Sequence, residues 1–302
     1  MNRISLVLLA TLVLGVALVW SLRDSPPATN SNSTETRSLL VYCAASNRAV
    51  MEAVRDDYEA EYPVKLEIQY GPSQTLLASV DVSGKGDLYL PADDSYLQVA
   101  SSRGLVKEIL PLAEMSAVVA VAKSNPRRVK QFSDLLADEL RIVQASPDAA
   151  AIGKLTRDVL TAAGQWDSLH AATSAYRTTV TDVANDVKVG AADAGIVFDA
   201  VLHEYPELEA VSLPELRDAK ANIAVGVIAG AKQPSLALHF ARYLAARDRG
   251  GLRYAEYGFQ PANGDIWADA PEITLYAGSM LRPAIEETIK AFEQREGVRV
   301  TR

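Results

Sequence analysis

The chain has 302 residues, of which 49% are apolar and 23% are charged, and its formal net charge is −8. This is ordinary globular composition, and the length allows one or two domains. The negative charge, without any cluster of Lys or Arg, argues against a nucleic-acid-binding surface. Anion binding stays open, because local donors rather than net charge define a site. The single cysteine, Cys43, excludes an intrachain disulfide and is predicted to be a small core residue.

The N-terminal 23 residues are typical of an export segment. Arg3 precedes an uncharged stretch at positions 4–20, but no A-x-A cleavage pattern follows it. Two interpretations stay open, a cleaved signal peptide and an uncleaved transmembrane anchor, and the missing cleavage pattern favours the anchor. Residues 24–38 are rich in Pro, Ser, Thr and Asn and predict a flexible tether. The protein is therefore expected in the periplasm or at the cell surface, with the N-terminal segment as its contact with the inner membrane.

The globular part opens with a strand followed by an amphipathic helix. Residues 39–44 are an apolar run typical of a buried strand. Val50, Val54 and Tyr58 then recur at helical spacing. Ser46 lies between the two and is predicted to cap the helix.

A second unit of the same kind follows directly. Residues 64–70 alternate as a strand, and Ser73 is predicted to cap a helix over 74–82. In a parallel sheet, Ser46 and Ser73 would both lie beyond the carboxyl ends of strands. There the unpaired N–H groups and the positive end of each helix dipole favour an anion.

Three sequence motifs in this region resemble a known family. They are VYCAAS at 41–46, YGPSQTL at 70–76 and KGDLYLPADDSYL at 85–97. Their order and spacing resemble the periplasmic molybdate-binding proteins of bacterial ABC importers, and the similarity continues to Tyr257-Gly258-Phe259. The resemblance implies an α/β, type II periplasmic-binding-protein fold with two lobes, each a mostly parallel sheet flanked by helices, joined by two crossover strands.

The remaining pattern fits that architecture. Strands are predicted at 88–90, 115–122, 141–144, 194–198 and 221–228, and helices at 94–103, 149–163 and 234–247. By resemblance, the strands at 115–122 and 221–228 are the crossovers. The oxyanion-binding domain is then 39–265, with lobe 1 at 39–115 and 225–265 and lobe 2 at 116–224.

The resemblance also implies five ligand-binding residues. Ser46 and Ser73 would donate hydroxyls from the first lobe, while Ile152 and Val183 would donate backbone N–H groups from the second. Phe198 falls where the family commonly has Tyr, so one hydroxyl donor is missing. Arg48 follows the first motif closely and could reach the anion or a lobe edge, but it is expected to be a solvated helix-surface residue.

The C-terminus begins a second copy of the opening unit. Residues 273–300 repeat 39–66 at an offset of 234 without gaps, so that Tyr276 corresponds to Tyr42 and Met280 to Ser46. Residues 266–302 are therefore predicted to be the start of a second, incomplete binding-protein repeat. A lone strand–helix–strand unit cannot bury its own apolar face. We expect it to be loosely packed, and burial of Leu275, Ile285, Ile289 and Phe292 would contradict this.

The function predicted from these features is capture of molybdate or tungstate, an oxyanion ligand rather than a cofactor, for delivery to an ABC transporter permease. A non-transport sensor or interaction module on the same fold is the alternative. Sulfate, phosphate and ferric iron stay open as other ligands. An enzyme is not expected, because the three histidines lack metal-ligand spacing and no nucleophile or phosphate-loop motif is present.

Overall fold

The computed structural model describes residues 37–301. The predicted export segment lies outside the described residues, as does nearly all of the predicted tether. The first strand already begins at Arg37, so the last two tether residues belong to the sheet. Across residues 37–301, no helix is both long enough and apolar enough to cross a bilayer.

Ten strands form one mixed sheet that underlies both lobes. They are β1 (Arg37–Ala44), β2 (Val64–Gly71), β3 (Leu88–Leu90), β4 (Val106–Ala122), β5 (Ile142–Ala145), β6 (Thr173–Arg177), β7 (Ala194–Phe198), β8 (Leu208–Val211), β9 (Lys220–Ile228) and β10 (Gln260–Pro261). The order along the sheet is β2-β1-β3-β9-β4-β7-β5-β6, with β8 and β10 both pairing with β4. Strand β1 pairs in parallel with β3, and β5 pairs in parallel with both β6 and β7.

Helices flank this sheet. They are α1 (Arg48–Glu61), α2 (Ser73–Ser83), α3 (Ser95–Ser102), α4 (Ala151–Ala162), α5 (Trp166–Ala172), α6 (Val180–Lys188), α7 (Pro234–Ala245) and α8 (Gly250–Glu256). Short 3₁₀ helices lie at Ala45–Asn47, Phe132–Leu136, Asp199–Glu204 and Pro214–Leu216. The predicted two-lobed α/β class is confirmed.

Two long strands, β4 and β9, join the lobes. They run antiparallel to each other, β3 flanks β9 in the first lobe, and β7 and β8 flank β4 in the second. The prediction of a crossover strand at 115–122 is too short, because β4 already starts at Val106. Pro111 lies beside a register shift in this strand, where its missing N–H interrupts the ladder locally without ending the strand.

The first lobe holds α1 in place through aromatic packing. The fully buried Tyr58 ring lies 4.7 Å from Phe240 and 5.1 Å from Tyr243 of α7, centroid to centroid. Such pairs add about 0.5–1.5 kcal/mol each beyond the area that they bury. Because α1 is fixed in this way, so is the 3₁₀ turn that leads into it at the end of β1.

The C-terminal segment forms a separate two-stranded sheet and a helix. It contains β11 (Glu272–Thr274), a 3₁₀ turn at Ser279–Leu281, α9 (Arg282–Glu296) and β12 (Arg299–Thr301), and β11 pairs in parallel with β12. Helix α9 packs on α7, where the Ser235 hydroxyl donates to Gln294 O at 3.2 Å. Of the four side chains whose burial would contradict loose packing, only Ile289 is buried.

Candidate functional site

The first lobe contributes the turn at the end of β1. Ser46 lies in the 3₁₀ turn Ala45–Asn47 and is 8% exposed. The prediction that it caps α1 is wrong: the N-cap is Asn47, and no side chain caps this helix. The Ser46 hydroxyl accepts only a long hydrogen bond, 3.5 Å, from Asn47 Nδ2. Its hydrogen therefore stays available to a ligand.

Ser73 is the second residue that this lobe contributes, and the prediction that it caps its helix is also wrong. It is the first residue of α2, whose N-cap is Pro72. The Ser73 hydroxyl accepts the Ala92 N–H at 3.1 Å, while the Ser73 carbonyl accepts the Tyr89 hydroxyl at 2.8 Å. Burial raises the pKa of Tyr89, so this phenol stays protonated and keeps donating. Ser73 is thus fixed from two sides with its own hydroxyl hydrogen unused.

In the second lobe, the start of α4 contributes backbone donors. Its first intrahelical hydrogen bond runs from Lys154 N–H to Ala150 O at 3.1 Å. The N–H groups of Ala151 and Ile152 precede that bond, and Ala150 has no capping side chain, so both lack an intrahelical partner. Gly153 allows this helix to start directly on β5, because a Cβ there would lie 2.3 Å from the Ala145 carbonyl oxygen.

The start of α6 is the second contribution of this lobe. Thr179 is the N-cap, and its hydroxyl accepts the Asp182 N–H at 3.2 Å while the Asp182 carboxylate accepts the Thr179 N–H at 3.0 Å. This capping box satisfies two N–H groups and leaves those of Val180 and Thr181 without an intrahelical partner.

These elements enclose one small cavity between the lobes. Its volume is about 20 Å³, slightly more than one water molecule needs. It is lined by Ala44, Ala45, Ser46, Gly71, Pro72, Ser73, Ala92, Ala150, Ala151, Ile152, Thr179, Val180 and Phe198. None of these side chains is charged, and the starts of α2, α4 and α6 bring positive dipole ends to it. The lobes also touch beside it, where Gln74 N–H donates to Ala149 O at 3.2 Å.

The structure brings four of the five predicted ligand residues together. Ser46, Ser73, Ile152 and Phe198 all line the cavity. Val183 does not, and its predicted placement at the cavity is wrong: it lies one turn inside α6, with its N–H donated to Thr179 O at 3.4 Å. The positions that line the cavity there are Thr179 and Val180. The capping-box spacing of Thr179 and Asp182 is the sequence signal that locates this helix start.

Arg48 and Cys43 lie close to Ser46 in the sequence but do not line the cavity. Arg48 is exposed, and its guanidinium lies over the Tyr70 ring, 4.0 Å from the centroid, so it is not aimed at a ligand. Cys43 is fully buried, as predicted, and burial raises the pKa of its thiol. The cavity therefore gains no charge from either side chain.

His170 and His239 have aromatic hydroxyls or a carboxylate as partners rather than a shared centre at the cavity. His170 bonds the Tyr176 hydroxyl at 2.6 Å, and His239 lies between the Tyr58 hydroxyl and Asp269. Within the part of the chain that the structure describes, no group of three His, Cys, Asp or Glu residues could hold a metal ion. The chemistry available at the cavity is hydrogen-bond donation to an anion.

Comparison with known proteins assigns most of the chain to a family. Residues 39–260 match the family model described as bacterial extracellular solute-binding protein. The molybdate-binding protein ModA of Mycobacterium bovis is 27% identical over 241 residues, which cover 78% of this chain and 90% of that protein.

Solved structures agree on the fold. The periplasmic molybdate-binding protein of Azotobacter vinelandii superposes with a TM-score of 0.63 at 18% identity, covering 73% of this chain and 98% of that one. The sulfate-binding protein SubI of Mycobacterium tuberculosis gives a TM-score of 0.62 at 15% identity, covering 75% and 88%. At these identities the likeness establishes the fold and leaves the ligand to the site itself.

Proposed function

Because the chain belongs to the bacterial extracellular solute-binding protein family, we propose that it captures molybdate or tungstate between its lobes and delivers it to an ABC permease. The observation that carries this proposal is the set of donors around one uncharged cavity. Two serine hydroxyls and the unpartnered backbone N–H groups at the starts of α4 and α6 lie at its lining. Neutral donors of this kind spread the charge of an anion without adding a titrating group.

The cavity size favours a small ion over an organic metabolite. Pockets for organic ligands usually enclose about 300–1,000 Å³, whereas this cavity is about 20 Å³ with the lobes in contact. A modest separation of the lobes would admit a tetrahedral ion, and closure would bury it. The closed form is then the species that a permease can recognise.

The lining also bears on which oxyanion is bound. No carboxylate lines the cavity, so a proton on the ligand would meet no strong acceptor. This disfavours phosphate, which is partly protonated at neutral pH, relative to molybdate, tungstate and sulfate. Sulfate is the smallest of these ions, and its discrimination would depend on how closely the two walls approach.

Calorimetric titration of the purified chain tests the proposal directly. Molybdate and tungstate should release heat and raise Tm, sulfate should bind more weakly, and phosphate should bind most weakly. If none of the four anions gives heat or thermal stabilisation, oxyanion capture is refuted. Molybdate uptake measured in cells that lack the cognate permease tests delivery separately. If the chain binds molybdate but these cells take it up as fast as cells with the permease, a sensor role is favoured.

A further inference from the structure

The C-terminal segment repeats the element order of the opening unit. Strand, 3₁₀ turn, helix and strand occur in β1–β2 and again in β11–β12. An offset of 234 residues relates the turn Ala45–Asn47 to Ser279–Leu281 and the start of α1 to the start of α9. The correspondence therefore holds for the backbone as well as for the sequence.

One hydrogen bond is repeated at the same offset. Leu66 N–H of β2 donates to Glu59 Oε1 at 2.7 Å, and Val300 N–H of β12 donates to Glu293 Oε1 at 2.8 Å. In both units this bond ties the last turn of the helix to the strand that follows it. Helical periodicity alone does not produce such a contact, so the match supports duplication of a structural unit.

The two units differ in what covers them. In the opening unit, β1 pairs with β3 and the face around it is buried. In the copy, the corresponding residues are exposed, and we refer to them together as the uncovered face: Ile273 (45% exposed), Leu275 (37%), Tyr276 (92%), Met280 (93%) and Leu281 (57%). Their counterparts Leu39, Val41, Tyr42, Ser46 and Asn47 are all at most 8% exposed.

We propose that residues 272–301 are the opening unit of a second solute-binding lobe. The occupant of the uncovered face would be the elements that follow β2 in the first module, present in a second copy on a longer polypeptide. The strand equivalent to β3 would pair with the edge of β11 that faces away from β12. The apolar sequence of β3, Leu88–Leu90, is the chemistry that this face fits.

The second site would differ from the first in its donors. Met280 takes the place of Ser46, and a thioether has no hydrogen to donate. A completed second lobe would therefore lack one of the two serine hydroxyls that line the first cavity. Its ligand should be an anion that needs fewer side-chain donors, or a softer group.

An extended chain tests the proposal without any ligand, so its outcome is independent of the proposed function. Residues 69–265 are appended after Arg302, which continues the register of the copy. Met280→Cys supplies a reactive thiol, because Cys43 is fully buried and burial raises its pKa. Modification of Cys at 280 by a thiol reagent should be fast in the 302-residue chain and at least tenfold slower in the extended chain.

Two controls belong to this experiment. Val82→Cys, at a position that is 90% exposed outside the copy, should react equally fast in both chains. Leu275→Asp, which places a charge in the strand that must pair, should abolish the protection at position 280 without affecting the first module.

Several outcomes would overturn the inference. One is equal reactivity of position 280 in the two chains. Another is protection in the 302-residue chain that grows with protein concentration, because a second copy of the chain would then cover the face. If the extended chain does not fold, a second variant replaces residues 38–68 of the first module with residues 272–302. Loss of cooperative unfolding in this variant would likewise refute the duplication.

Discussion

The two walls of the cavity offer different kinds of hydrogen-bond donor. The first-lobe wall offers the hydroxyls of Ser46 and Ser73, whereas the second-lobe wall around Ile152 and Val180 offers backbone N–H groups at helix starts. A hydroxyl can be removed by substitution, but a backbone donor changes only if the helix start moves or a proline replaces the residue. The first wall should therefore be the side where single substitutions alter affinity, and the second wall the side that holds its geometry constant.

The largest effect is expected from removing both hydroxyls. A hydrogen bond to a charged group contributes about 1.5–3 kcal/mol, so Ser46→Ala and Ser73→Ala should each weaken oxyanion binding roughly 10- to 160-fold. The double variant should approach the sum, and calorimetry measures it. Ser102→Ala is the matched control, because this exposed hydroxyl donates only to Val99 O. A double variant that binds like the parent would show that the first wall does not donate.

The second wall can be tested by removing a single backbone N–H donor. Proline is tolerated at the first position of a helix, and Ala151 is the first residue of α4. Ala151→Pro should remove one N–H and weaken binding by about 1.5–3 kcal/mol, as for one charged hydrogen bond. Ala151→Gly keeps the N–H and should bind nearly as the parent does. If both variants keep parental affinity and Tm, this helix start makes no contact with the ligand.

A smaller change is expected at Phe198, the last residue of β7. The ring lines the cavity and is 1% exposed. Phe198→Tyr offers one more hydroxyl, which should strengthen molybdate binding by about 1 kcal/mol, roughly fivefold. Phe198→Leu serves as the comparison that removes the ring without adding a donor. Weaker binding by Tyr than by Phe would mean that the cavity has no room for the extra oxygen.

The smallest expected effect is that of pH on affinity. No titratable side chain lines either wall, so affinity for molybdate should change by less than about twofold between roughly pH 7 and 9, unlike that of a site built on His or Lys. Titration calorimetry at several pH values measures this. A steep change in that interval would reveal an ionising donor and contradict the comparison of the two walls.

The free energy of unfolding, in contrast, should decrease at acidic pH. Hydrogen bonds from the Arg141 side chain hold the pKa of Asp193 well below its usual range. A depressed pKa means that the carboxylate stabilises the folded state fully above the unfolded pKa of about 3.9, and that this contribution is lost as pH falls further. Chemical unfolding should give a lower free energy of unfolding at about pH 3 than at about pH 7, and Asp193→Asn should reduce this difference.

Much of this architecture follows from sequence patterns. The alternation of short apolar runs with amphipathic helices placed Ser46 and Ser73 at strand-to-helix junctions, and the family resemblance implied the two-lobed α/β class. The capping assignment failed, because Ser and Asn are both good caps by residue type and a 3₁₀ turn moves the helix start to Arg48. Tertiary packing decides that turn, and local propensity does not report it.

The second wall is only partly visible in the sequence. The resemblance implied Val183 as the donor, one turn too far into the helix, although the capping-box spacing of Thr179 and Asp182 marks the start of α6. The start of α4 has no such signal, since its N-cap is Ala150. The length of β4 was also underestimated, because Pro111 is atypical inside a strand and is accommodated only beside a register shift.

Gly153 points to a limit on how this protein can change its ligand. A methyl group at that position would collide with the Ala145 carbonyl, although Gly153 itself does not line the cavity. Alanine there should push the start of α4 off β5 and displace two donors at once. Ligand specificity should therefore change more readily through substitutions in the hydroxyl-bearing wall. Gly153 restricts the substitutions that the second-lobe wall can accept during evolution.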